Sequence, residues 1–190
     1  MFNGIGDINW ATLKQAHGFA DHVPEAIKGL ISDDEKEQES SYWRLDNYVV
    51  LQGDLYQSAF YVIPFLIEVV NSEVKSGRAY VYDLLIEISN GYAVDDVLCV
   101  FDGEEYPLGE ACKRAIGSSY KSFLAEISDL SSNCRESALD LLISIEDNQD
   151  EIISELLVVR GRESDDQFRR KIDEAVTEIR LKKDSSMRAS

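Results

Sequence analysis

The stretch that most constrains the fold is 56–90, YQSAFYVIPFLIEVVNSEVKSGRAYVYDLLIEISN, because its pattern returns further along the chain. Ala59, Val62, Ile63, Leu66, Ile67 and Val70 recur at helical spacing and predict one apolar face. Pro64 interrupts that helix and predicts a kink with the helix continuing beyond it. A polar break at 71–77 follows, and Ala79, Val81, Leu84, Leu85 and Ile88 give a second stripe. Asn90 and Gly91 predict its end in a left-handed cap. A helical hairpin of this kind cannot bury both apolar faces alone.

Neighbours of the same shape are present. Phe65 and Leu66 are answered by Phe123 and Leu124, Arg78 by Arg135, and Leu84 and Leu85 by Leu141 and Leu142. The near-constant offset reads as a repeated helix pair with an insertion between the copies. Repeated pairs imply an all-α solenoid in which each pair buries its face against the next. The other reading is an irregular helical bundle with chance similarity.

The remaining elements extend the series. Residues 7–18 predict a short helix with Trp10 and Leu13 inward. Asp21 reads as an N-cap with Pro24 just inside a helix near 22–32, and 33–50 follows with an acidic first half and Trp43, Leu45, Tyr48 and Val49 in its second. Pairs are expected near 22–50, 57–90 and 120–147, with a fourth, more polar pair carrying Ile152, Ile153, Leu156 and Leu157 and then Phe168, Ile172, Ala175, Val176 and Ile179, about four in all. Between the second and third, 91–119 reads as an irregular insertion punctuated by Gly103, Pro107 and Gly109, with a helix resuming near Leu108. LCVF at 98–101 is the one plausible strand, and a turn of helix fits it equally. A single domain over 1–183 and a disordered tail over 184–190 complete the expected organisation.

Charge narrows the partners. The 190 residues carry 19 Lys and Arg against 36 Asp and Glu, a formal net charge of −17. That balance argues against nucleic acid and anionic membrane and fits a basic protein partner, although acidity also serves solubility alone. Cys99, Cys112 and Cys134 are odd in number and form no CxxC, which suits a reducing compartment. No basic and apolar leader opens the chain, and no apolar run approaches a membrane span, so a cytoplasmic protein is expected.

No phosphate-cradling glycine loop, HExxH or GxSxG occurs, and a non-enzyme without metal or cofactor is expected. His17 and His22 stand near helix ends, where surface or capping roles are common. Asp95, Asp96, Asp102, Glu104 and Glu105 form the densest acidic cluster. They lack the alternating ligands and closing Glu of a calcium loop. Two readings remain, a solvated loop or an acidic insertion that touches a basic partner. Tyr80 and Tyr82 cannot both face the core of one helix. Together with Tyr48 and Asp83 they form a candidate partner surface, against the alternative that each ring simply packs.

With these residues in view, the chain resembles a family of bacterial HEAT-like repeat proteins. The resemblance is carried by INWATLKQAHGFADHVPEAIKGLISDD, by QGDLYQSAFYVIPFLIEVV, and by ACKRAI followed by YKSFLAEISD, and covers 8–147. Family members carry histidines just before the position of Gln52, where this chain has Val50 and Leu51. The resemblance implies a right-handed solenoid of HEAT-like pairs and a binding role. Small acidic members are similar to immunity proteins, which implies a monomer that occludes a cognate toxin. A general scaffold or adaptor is the alternative. A glycosylase-like enzyme would need a basic groove, which the charge opposes. The expected contacts are Tyr48, Tyr80, Asp83, Asp95, Asp96, Asp102, Glu104 and Glu105.

Overall fold

The computed structural model describes residues 1–189, with side chains described through Ser185. The chain divides into two units, Met1–Ser118 and Ser119–Ser190. Among the described residues there are nine α-helices and five short strands.

In the first unit, α1 (Val23–Gly29) packs on α2 (Glu35–Val49), and α3 (Gln57–Val70) packs on α4 (Arg78–Asn90). α2 also lies against α4. The N-cap of α1 is His22 rather than Asp21, with Pro24 in its first turn. Asp34 caps α2 by accepting a hydrogen bond from the Lys36 amide at 3.0 Å. Pro64 lies inside α3 on its exposed side, while Val62, Ile63, Phe65, Leu66, Val69 and Val70 are buried. Tyr82 is fully buried, with Val81, Leu84, Leu85 and Ile88 beside it, and Ala79, expected inside, is exposed.

The helix expected over 7–18 is absent. Two 3-10 turns, Ile5–Asp7 and Trp10–Thr12, stand in its place, and Lys14 then pairs with Phe19 across a turn at Gly18, whose φ is +77°. A left-handed glycine reverses the chain where a helix would have continued. The Trp10 indole donates to the Ile5 carbonyl at 2.8 Å, and its ring lies 6.2 Å from Phe65, sealing α3 from the amino-terminal side.

Residues 50–55 hold β1 (Val50–Leu51) and β2 (Asp54–Leu55), joined through Gln52 and Gly53 at φ +54° and +87°. Two successive left-handed residues make the tight turn that matches strand twist. β3 (Tyr92–Ala93) adds to β2 in parallel. This pairing corrects the expected cap at Gly91, which is extended at φ −78° and ψ 163°. Tyr92 N–H donates to the Gly53 carbonyl at 2.7 Å, and a Cβ on Gly91 would lie 2.6 Å from Leu55 Cγ. Gly91 is required there for close approach, not for handedness.

The insertion over 91–119 is more regular than expected. β4 (Leu98–Phe101) and β5 (Glu104–Pro107) form a hairpin, and α5 (Leu108–Gly117) follows and packs on α3, α4 and β4.

The second unit holds α6 (Tyr120–Ser128) against α7 (Arg135–Ser144), and α8 (Gln149–Arg162) against α9 (Asp166–Ala189). Ile152, Ile153, Leu156, Phe168, Ile172, Ala175, Val176 and Ile179 supply the apolar face of the last pair. The expected tail overlaps the last turns of α9, and Ser190 lies outside the described residues.

The repeated arginine has one structural role in both hairpins. Arg78 Nη1 donates to the Val69 carbonyl at 2.9 Å, and Nη2 to that of Val70 at 2.6 Å. Arg135 Nε donates to the Ile127 carbonyl at 2.8 Å. The spacing that relates Phe65 to Phe123 also relates Val69 to Ile127. In each hairpin the arginine opening the second helix caps the orphan carbonyls closing the first. Arg135 also pairs with the buried Glu163 and lies 3.9 Å over the Phe168 ring, which ties α7 to the last hairpin.

Candidate partner-binding site

α2 buries Ser41, Leu45 and Val49, one residue per turn, which leaves Tyr42, Trp43 and Asp46 on its flank. α4 buries Val81, Tyr82, Leu84, Leu85 and Ile88, which displaces Tyr80, Asp83 and Glu87 to the other side. Since α2 packs on α4, the two flanks meet. Tyr42 stacks on Tyr80 with centroids 5.0 Å apart and planes 30° apart, and meets Trp43 edge-on at 4.9 Å. Trp43 is 50 % exposed.

Carboxylates border these rings. The Tyr42 hydroxyl donates to Asp46 Oδ1 at 3.4 Å. Burial, reinforced by the charges of Asp46, Asp83 and Glu87, pushes the Tyr42 phenol up to about 12, so it stays a proton donor. Burial also raises the carboxyls of Asp46 and Asp83 above their ordinary range, opposed at Asp46 by the hydrogen bond from Tyr42. The two arginines on these helices turn elsewhere. Arg44 reaches the His22 carbonyl at 3.3 Å, and Arg78 is buried against the end of α3.

The surface is therefore an aromatic platform with an exposed indole and an acidic border. Chemically it can stack on a guanidinium or aliphatic stem and pair the charge that follows. Of the expected contacts, Tyr80 and Asp83 lie on this face. Tyr42, Trp43, Asp46 and Glu87 were not singled out, though the four-residue spacings 42–46 and 83–87 carry the signal.

The other expected contacts lie elsewhere in the first unit. Tyr48 is half-buried under His22, 4.8 Å away, and His17, 6.0 Å away, and its carbonyl accepts from Ala16 N–H at 2.8 Å. Its ring is a packing element of the amino-terminal segment. Asp95 pairs with Lys14 at 3.2 Å, and Asp96 is exposed in the approach to β4. Asp102 occupies the hairpin turn at φ +51°, Glu104 accepts from the Tyr106 hydroxyl, and Glu105 is exposed on β5.

Comparison with family models, curated proteins and solved structures finds no match to this chain. Among the described residues no group of three or more His, Cys, Asp or Glu is placed to hold a metal ion. Cys99, Cys112 and Cys134 are buried and form no disulfide, and burial raises the Cys99 and Cys112 thiols, which disfavours a reactive thiolate. No described helix is long and apolar enough to cross a membrane.

Proposed function

We propose that the chain is a cytoplasmic, HEAT-like immunity protein that binds a cognate basic toxin and neutralises it by occlusion. Consecutive helix pairs with a repeated sequence and a repeated arginine cap support the solenoid part of this reading. The observation that carries the binding part is the Tyr42–Tyr80 stack beside half-exposed Trp43, bordered by Asp46, Asp83 and Glu87. Tryptophan and tyrosine are the residue types most often found as binding hot spots, and a net charge of −17 steers a cationic partner toward such a surface. Carboxylates whose ionised form burial disfavours gain from an incoming cation placed beside them.

The test begins with capture on the tagged chain in its native cell, washed at low and then high salt, with mass spectrometry of what remains. The expected partner is one basic protein that is toxic when expressed alone and harmless when co-expressed with this chain. Trp43→Ala should weaken that complex by about thirtyfold, as loss of a hot-spot residue does. Several partners of mixed charge, none of them toxic, would replace this reading with a scaffold or adaptor.

A further inference from the structure

The β4–β5 hairpin is a two-stranded sheet of its own. Leu98 pairs with Pro107, Cys99 with Tyr106, Val100 with Glu105 and Phe101 with Glu104 across a two-residue turn. Cross-strand partners share a face, so Cys99 and Tyr106 turn toward α5, where Arg114 lies 4.4 Å over the Tyr106 ring. Leu98 and Val100 turn outward, each 59 % exposed.

The same register fixes the backbone. Antiparallel pairs alternate between those that exchange hydrogen bonds and those that do not, and the pair flanking a two-residue turn exchanges them. Phe101 and Cys99 are thus bonded inward to β5. Leu98 and Val100 aim their N–H and C=O groups at the free edge of β4, which no other strand pairs among the described residues. On β5 the outward position at Pro107 has no N–H to offer, so that edge is blunted. β4 carries no such device: its two outward residues are an apolar leucine and valine, the composition proteins usually avoid on an open edge.

We infer that β4 accepts an added strand from a partner, an extended segment alternating basic and apolar residues. Apolar side chains of the incoming strand would cover Leu98 and Val100 while its backbone completes their hydrogen bonds. The basic character follows from the border: Glu104 is an exposed carboxylate on the face opposite Val100, Asp102 is exposed in the turn, and Asp95 is only partly offset by Lys14. A second copy of this chain is disfavoured as the occupant, because edge-to-edge pairing would bring these carboxylates together on two molecules each carrying −17. The inference shares with the proposed function only the basic charge of the partner, and rests on different elements from the α2–α4 face.

The experiment uses the full chain and a short synthetic peptide alternating lysine and valine, with a glutamate–valine peptide as control. Amide hydrogen exchange is followed by NMR. Saturating lysine–valine peptide should slow exchange at Leu98 and Val100 by about tenfold or more and leave Cys99 and Phe101 nearly unchanged. Val100→Lys, at an exposed position, should abolish the effect, and Trp43→Ala should leave it intact. If Val100→Lys fails to fold, the wild-type protection pattern still decides. No protection at Leu98 and Val100, equal protection by the glutamate–valine peptide, or protection without peptide that grows with protein concentration would each overturn the inference. The Trp43 result on the captured partner stands or falls separately.

Discussion

Neither ring nitrogen of His22 meets a protein hydrogen-bond partner, and its ring packs edge-on against Tyr48 at 4.8 Å. Burial, with Arg44 acting in the same direction, holds its pKa below the ordinary 6.5. As pH falls through 6.5 the unfolded chain takes up a proton that the folded chain resists, so stability is lost from there down to the folded pKa. His22→Phe removes this contribution. Between about pH 7 and pH 5 the urea midpoint of the wild type should therefore drop further than that of the variant. Equal drops would show that His22 titrates normally. Residue roles of this sort were only partly legible. Tyr80 and Asp83 could be singled out because helical spacing alone moves them off the buried stripe. Trp43 could not, since its apolarity predicts burial and its exposure depends on where α2 lies against α4. Tyr42 matters only through its stack on Tyr80, a contact between residues far apart in sequence.

At the scale of elements, the turn before α4 is held against the carboxyl-terminal end of α1. Gly77 sits at φ +65°, and a Cβ there would fall 1.6 Å from the Leu30 carbonyl oxygen. Gly53 has φ +87° but open space around it. Gly77→Ala should cost about 3 kcal/mol, the sum of left-handed strain and a displaced backbone, whereas Gly53→Ala should cost about 1 kcal/mol from strain alone. Denaturant titration of the two variants separates these causes, and equal losses would mean that the Leu30 contact yields freely. The helices were legible because a 3.6-residue period needs only local pattern. The two-residue strands were not, because two residues cannot show alternation and β3 exists only through Gly53 and Leu55. At Gly91 the glycine was visible but its reason was not, since the Leu55 side chain that demands it is distant in sequence.

For the whole molecule, part of the acidic surface is half-buried on the α2–α4 face, and burial acts on it. Raised carboxyl pKa values at Asp46 and Asp83 mean that the folded state binds protons there more readily than the unfolded state. Their contribution favours folding below the folded pKa and opposes it at neutral pH, where both must be charged. Carboxylates shifted in this way are candidates for a ligand-binding role. The direct measurement is stability and partner affinity determined side by side at neutral pH for wild type and Asp46→Asn/Asp83→Asn. Binding of the captured basic partner should weaken by about tenfold or more, while the urea midpoint stays level or rises. Unchanged affinity, or a loss of stability that accounts for weaker binding, would contradict a partner-binding role for this face.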